Sequence, residues 1–246
     1  MNCFIAYFDY LGFKEFIENN NLEVQKMIIS SNNIILERAI SKHRLKETEF
    51  GMVHDLSNAK INCMNFSDTV VLWTNDNSDE SMDELIDVSH KFNLYCTTSF
   101  PSRGSIVYGE FFTKSYNEIN DVGGKFNFNS VFGKGLVKAH IKANAQNWSG
   151  TVLDDSFISE LTRRGFKPEE YLKPYAKRYK VPYKKISDLS EEFVFCISPV
   201  KINDEMFNEF SESIKIAFSA YNKSIDIDGV REKFNQTVQF LKSFKI

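Results

Sequence analysis

Two aspartates and an arginine are the residues of this sequence whose types and placement could do chemistry. Asp9 follows an apolar run at 3–8 and precedes Tyr10-Leu11-Gly12, while Asp68 lies in Ser67-Asp68-Thr69 between the β-rich segments 60–66 and 70–74. Two carboxylates brought together at adjacent strand ends make a hard-oxygen site suited to Mg²⁺ or Mn²⁺, ions that take oxygen ligands and keep positions for substrate phosphates. Arg103 opens a further strand at 103–112, and its planar fork matches phosphate oxygens. Each also has a plainer reading. An Asp before Leu-Gly shapes a turn, Ser-Asp-Thr closes a hairpin, and Arg103 is a solvated residue at a strand start. His43, His54, His90 and His140 have no carboxylate or Cys at an interpretable spacing and count as ordinary residues.

Alternating elements must hold these groups. The run 3–8 has the length of a buried strand, and Gly12 releases the chain in a new direction. Apolar residues recur at helical spacing over 13–42, interrupted at 19–21, which predicts two helices or one broken helix. The pair 60–66 and 70–74 reads as a tight hairpin whose turn, 67–69, presents Asp68. Residues 78–99 open with acids and suit a helix starting near a Ser or Asp cap. The Asn- and Gly-rich stretch 117–129 reads as a loop or irregular hairpin. Helical spacing resumes over 131–147, Gly150 ends that helix, and 151–153 form a short strand. Strand, helix, two strands, helix, strand, helix, strand is the order of an α+β sandwich. Beyond 157 follow a basic stretch with Tyr171, Tyr175, Tyr179 and Tyr183, a strand at 193–197 and amphipathic helices at 204–221 and 228–244. The four tyrosines suit either stacking on nucleotides or packing on the core, with Pro174 and Pro182 opposing one continuous helix.

The chain has 246 residues, 42% of them hydrophobic, enough to bury a core, and the absence of repeats or a linker favours one elaborated domain. With 30 Lys plus Arg against 33 Asp plus Glu there is no basic stripe of a nucleic-acid binder, so a small ligand is expected and no direct nucleic-acid contact. Cys3, Cys63, Cys96 and Cys196 are spread singly, which reads as reduced thiols in a cytosol. The start, 1–10, lacks a basic lead and meets Asp9, and no later apolar stretch is long enough to span a bilayer; a cytoplasmic protein without a membrane segment is expected.

Read in order, Phe8-Asp9-Tyr10-Leu11-Gly12-Phe13, Phe66-Ser67-Asp68-Thr69, Arg103-Gly104-Ser105-Ile106-Val107-Tyr108-Gly109 and Val131-Phe132-Gly133 resemble the class III nucleotidyl cyclases. The family pattern is Phe-Asp-x-x-Gly-Phe, an acid at a hairpin turn, an Arg-led strand ending in Gly, and an aromatic-Gly opening a dimer-facing helix. The resemblance covers about residues 3–157. It implies a ferredoxin-like α+β catalytic core at 1–157, with a C-terminal strand and helices at 158–246 elaborating the same domain. It also implies two Mn²⁺ or Mg²⁺ ions held by Asp9, Asp68 and the carbonyl of Tyr10, Arg103 on the distal phosphates, and a head-to-tail homodimer with sites across its interface.

Departures from the pattern narrow the expected substrate. The Asn and Arg of the purine-cyclase helix align here with Val137 and Ile141, and the adenine-reading Lys and Asp align with Met64 and Ser130. This is similar to the pyrimidine cyclases of Pycsar antiphage systems, which implies conversion of UTP, ahead of CTP, into a cyclic monophosphate that alerts a separate effector. A purine cyclase with an unusual pocket and a catalytically silent nucleotide-binding fold remain alternatives. Met64, Asn62 and Ser130 are candidate walls of the base pocket. Lys138, with Lys134 and Lys142 at i±4, is a candidate replacement for the missing cation, or part of a solvated face.

Overall fold

The computed structural model describes residues 2–185 and 191–246; Met1, counted in the reading of the chain's start, lies outside the described residues. In chain order the elements are β1 (Asn2–Tyr10), α1 (Phe13–Asn19), α2 (Leu22–Ser41), β2 (Leu45–Thr48), β3 (Gly51–His54), β4 (Ile61–Phe66), β5 (Thr69–Thr74), α3 (Asp79–Thr98), β6 (Ser102–Glu110), β7 (Phe112–Ile119), β8 (Lys125–Phe132), α4 (Lys134–Ala145), β9 (Gly150–Leu153), α5 (Asp155–Arg163), α6 (Pro168–Tyr171), β10 (Ala176–Lys180), β11 (Glu191–Phe195), α7 (Asp204–Ser219) and α8 (Asp228–Lys242). The main sheet runs β10-β11-β9-β6-β1-β5-β4. Its β6-β1-β5-β4 part is antiparallel throughout, the strand arrangement of a ferredoxin-like βαββαβ core. β9 joins β6 in parallel, and β11 and β10 continue the sheet beyond it. The fold is therefore α+β.

β1 is central, and its run from Cys3 to Phe8 is buried on both faces, which is why its sequence is continuously apolar. On one face Phe4, Ala6 and Phe8 pack with Phe16, Phe92 and Phe100 from α1, α3 and the segment after it. On the other, Cys3, Ile5 and Tyr7 pack against Ala139 and Ala143 of α4. Each buried Phe contributes about 1.5–3 kcal/mol through removal from water. A third cluster joins Trp148, Val152 and Val194 to Phe218, Phe240 and Phe244 of the C-terminal helices and their flank.

Several boundaries differ from the sequence expectation. The stretch 13–42 does keep one of its two expected forms, two helices broken at 20–21, because Asn21 caps α2 through its side chain, accepting from Val24 N at 3.0 Å. The β4–β5 turn holds two residues, not three: Ser67 takes φ 55° and Thr69 already pairs with Asp9. The stretch 117–129 belongs to a regular hairpin, β7–β8, in register from Phe112↔Phe132 to Ile119↔Lys125. It puts Phe112, Tyr116, Phe126, Phe128 and Phe132 on one face. Val131 and Phe132 thus lie in β8, and α4 begins after Gly133, whose φ of 139° and Glu110 carbonyl 2.3 Å from any added Cβ restrict the position to glycine. The helix ends at Ala145, and Gly150 opens β9 instead of stopping α4. The Tyr-rich stretch is α6 and β10, with Tyr179 stacked on Trp148 at 5.5 Å and Tyr171 donating to Asp83; these tyrosines pack the fold. All four cysteines are free. Among the described residues no helix is long and apolar enough to cross a membrane.

Candidate active site

Because β1 lies between β5 and β6, Asp9 faces Thr69 on one side and Arg103 on the other in direct cross-strand register. Such partners project from the same face of the sheet, so register alone sets the guanidinium beside the carboxylate. Nε and NH2 of Arg103 lie 2.8 and 2.7 Å from Asp9 Oδ2, with both side chains largely shielded from solvent. Gly104 permits the close passage of β1 there, since an added Cβ would meet Phe8 Cδ1 at 2.7 Å. Tyr10 N–H donates to the Asp68 carbonyl at 2.8 Å and ties the end of β1 to the β4–β5 turn. Asp9, Tyr10, Asp68 and Arg103 all line one cavity of about 560 Å³.

Burial raises the Asp9 carboxyl above its ordinary value. Arg103 opposes that shift and the charge of Asp68 adds to it, so the two carboxylates sense each other. The far side of the Arg103 fork reaches α4, where NH1 donates to the Asn144 carbonyl at 3.3 Å and NH2 to Asn144 Oδ1. One turn earlier, His140 Nδ1 lies 2.9 Å from the Tyr7 hydroxyl and Nε2 lies 3.2 Å from Asn144 Nδ2. The Tyr7 hydroxyl is 3.3 Å from Thr69 Oγ1. A continuous polar chain therefore runs Thr69, Tyr7, His140, Asn144, Arg103, Asp9.

His140 and Asn144 are absent from the sequence-based candidates. Their signal is the four-residue spacing, displaced by three positions from Val137 and Ile141, a rotation of about 300° that moves them to a different helix face. Val137 and Ile141 are 57% and 61% exposed, and neither lines the carboxylate cavity, although Val137 lines a second one. Lys138 does not line the carboxylate cavity; its ammonium lies 2.7 Å from Asp154. Lys134 and Lys142 are likewise opposite acids, Glu110 and Glu192.

Met64 and Ser130 come from β4 and β8 to line a second cavity of about 800 Å³, which shares Tyr7, Thr69 and His140 with the first. Its polar lining includes Asn65, Asn127 and Asn129, and among the described residues that line it there is no carboxylate or lysine. Asn62, two residues before Met64 on β4, instead donates to Asn75 Oδ1 at 2.6 Å.

Three lysines reach the first cavity from the C-terminal part of the chain: Lys184, Lys223 and Lys233. Lys223 is buried, donates to the Ala217 carbonyl at 2.9 Å and lies 3.9 Å from the centroid of the Phe100 ring. Burial lowers its ammonium to about 8. Burial also lowers Lys184 and Lys233, and the positive charge of Arg103 lowers both further.

Among the described residues no group of three or more His, Cys, Asp and Glu is placed to hold a metal ion. Two mutually sensed carboxylates and a backbone carbonyl fit a hard divalent ion that completes its shell with water and substrate phosphates.

The sequence matches no protein-family model and no curated protein. The structure superposes on the catalytic core of a rhodopsin-guanylyl cyclase with converted specificity, solved in complex with ATPαS, at TM-score 0.50 and 9% identity, covering 79% of this chain and 94% of that one. It superposes equally, at TM-score 0.50 and 6% identity over 79% and 94% of the two chains, on a monomeric double mutant of the guanylyl cyclase domain of the RhoGC fusion protein from the aquatic fungus Blastocladiella emersonii. With its mostly antiparallel sheet and flanking helices, the chain has the class III nucleotidyl cyclase fold.

Proposed function

We propose that this chain is a metal-dependent nucleotidyl cyclase converting a pyrimidine nucleoside triphosphate, UTP ahead of CTP, into its 3′,5′-cyclic monophosphate and pyrophosphate. The observation that carries the reading is the convergence of Asp9, Asp68 and Arg103 in one cavity on a class III cyclase fold. Mn²⁺ or Mg²⁺, two ions per site held by Asp9, Asp68 and the Tyr10 carbonyl, would supply charge neutralisation at the α-phosphate and the leaving pyrophosphate. Arg103 opposes the rise that burial imposes on the Asp9 carboxyl and offers its remaining N–H to a phosphate oxygen. Asn144, itself bonded to His140, holds that guanidinium in one orientation, so reorganisation on substrate binding is small.

The second cavity supports the pyrimidine assignment. Uracil presents an acceptor, a donor and an acceptor along one edge, which side-chain amides and a hydroxyl can meet. Met64 and Ser130 align, by the sequence resemblance, with the family's purine readers, and Asn65, Asn127 and Asn129 line the same cavity. The exposed Val137 and Ile141, with the aromatic face of β7–β8, support a homodimer in which a second copy closes the site. The product would act in the cytoplasm as an antiphage signal to a separate effector.

The test is incubation of the purified protein with Mn²⁺ and, separately, ATP, GTP, CTP and UTP, with products identified by mass spectrometry beside Asp68→Ala. Cyclic UMP or cyclic CMP from the wild type alone is expected. A cyclic purine would move the chain to the purine cyclases, and no product from any of the four would leave a nucleotide-binding fold without turnover.

A further inference from the structure

Arg103 is poorly placed to be the main cation for a polyphosphate. Of the five N–H groups of a guanidinium, four are directed at Asp9 and Asn144. Lys223 also lines the cavity, yet its ammonium is engaged by the Ala217 carbonyl and the Phe100 ring. Lys14, the remaining lysine of the lining, is exposed and 3.6 Å from Glu18.

Lys184 and Lys233 differ from these. The segment carrying Lys184 is clasped to the end of α4 by backbone bonds: Asn147 N–H donates to the Pro182 carbonyl at 2.7 Å, and Lys184 N–H donates to the Ala145 carbonyl at 2.8 Å. The clasp sets Lys184 immediately beyond Asn144, the residue that grips Arg103. Its ammonium has no hydrogen-bond or salt-bridge partner among the described residues. Lys233 is placed by a separate anchor. Ser149 N–H donates to Thr237 Oγ1 at 2.9 Å, and Ser149 precedes Gly150, the β9 partner of Arg103. Lys233 lies one helical turn before Thr237, so the same face of α8 carries it into the cavity. Its ammonium makes one bond, to the Gly229 carbonyl at 2.9 Å, leaving two of three donors. No carboxylate lies within salt-bridge distance of either lysine among the described residues. Four lysines and Arg103 line the cavity against Asp9, Glu15 and Asp68, so with Asp9 paired to Arg103 the site keeps an excess of positive charge that favours an anion.

We propose that Lys184 and Lys233 form a polyphosphate clamp, supplied by the C-terminal part of the same chain, that grips the β- and γ-phosphates of the triphosphate beside the Asp9–Asp68 pair. The proposal rests on the cyclase reading for its substrate, and it gives the C-terminal elaboration a task in the site. Arg103 then serves chiefly to orient Asp9, while the two lysines provide mobile point charges that follow the pyrophosphate as it leaves.

Calorimetric titration of the full chain with inorganic tripolyphosphate in the presence of Mn²⁺ tests the clamp without requiring turnover. Wild type is expected to bind, Lys184→Ala/Lys233→Ala to bind at least tenfold more weakly, and Lys184→Arg/Lys233→Arg to recover most of the affinity. Lys26→Ala/Lys173→Ala, exposed lysines outside the cavity lining, removes the same net charge and is expected to bind as wild type. Unliganded melting curves show whether the variants fold. Failure of wild type to bind, equal binding by the Lys184/Lys233 double alanine variant, or equal weakening by the charge-matched control overturns the clamp. Cyclic-nucleotide formation by the same preparations separates the two proposals. Lysine-dependent binding without any cyclic product leaves the clamp and removes the cyclase reading; cyclic product with kcat/KM unchanged in the double alanine variant does the reverse.

Discussion

The carboxylate cavity buries what water would solvate, whereas the outer face of α4 and the β7–β8 hairpin exposes what a core would take. Asp9, Arg103 and Lys223 are charged groups largely withdrawn from solvent, and Val137, Ile141, Phe128 and Phe132 are large apolar groups left in it. Both regions invert the usual sorting of side chains, and both cost stability in the isolated chain. The cavity offsets part of that cost internally, through the Asp9–Arg103 pair and the polar chain to Tyr7. Among the described residues the apolar face is compensated only by pairing of its own aromatics, such as Phe112 with Phe132 and Phe126 with Phe128. One region is thus nearly complete in a single copy, and the other calls for a second.

The sharpest way to break this comparison is to remove the charge that the cavity was built around. Asp9→Ala is expected to lower Mn²⁺-dependent turnover by a factor on the order of 10³, the scale of losing a preorganised electrostatic group. Product formation measured by mass spectrometry checks it. The same substitution leaves the largely buried Arg103 without its carboxylate, so an unliganded melting curve must accompany the rate. Turnover close to wild type would show that the burial of Asp9 is structural.

The opposite region is tested by making it polar. Phe132→Glu/Ile141→Glu is expected to convert a dimer into a monomer in light scattering and to lower turnover by about 10²-fold, with little change in unliganded melting because both positions are exposed and neither lines the two cavities. A monomeric wild type with full activity would mean that the exposed face serves something other than assembly.

The two regions also differ in how legible they are from sequence. Asp9, Asp68 and Arg103 can be found because each sits in a short local pattern, and the βαββαβ order that brings them together follows from hydrophobic periodicity. His140 and Asn144 cannot be found that way, since their partners Tyr7 and Arg103 are 133 and 41 residues away and the pairing depends on the rotation of α4. Lys184 and Lys233 are harder still: they sit in a basic stretch and on an amphipathic helix, and only the Pro182 clasp and the Ser149–Thr237 anchor aim them. On the apolar side, Phe126-Asn127-Phe128-Asn129 alternates as a strand does, yet its Asn content reads as a loop. Propensity misleads there because an exposed hairpin with one aromatic face tolerates Asn on the other.

Lys223 measures how much the cavity's buried charge costs. Its ordinary value is 10.5, and burial brings it to about 8 in the folded chain. Between those values the unfolded chain still holds the proton that the folded chain has released, so this group makes stability rise with pH across that window. Lys223→Met removes the contribution. The stability difference between variant and wild type is expected to change by about 2 kcal/mol from pH 7 to pH 10, wild type gaining on the variant. Urea unfolding at the two pH values checks it, and taking the difference cancels the titration of the cysteines and tyrosines common to both proteins. A pH-independent difference would mean that Lys223 keeps an ordinary proton affinity where it lies.

The smallest expected effect distinguishes orientation from binding within the cavity. Asn144→Ala deletes the amide that accepts from Arg103 NH2 and donates toward His140 Nε2, while the backbone carbonyl that accepts from NH1 remains. One hydrogen bond to a charged group contributes about 1.5–3 kcal/mol, and partial retention of the latch puts the loss near the lower end. Turnover is therefore expected to fall about tenfold, with KM within about twofold of wild type, because the phosphates are held by the lysines and Arg103 acts through Asp9. Steady-state rates over a range of nucleotide concentrations separate the two constants. A raised KM with unchanged kcat would place Arg103 on the phosphates in the ground state and shift the burden of the clamp back from the C-terminal lysines to the core strand.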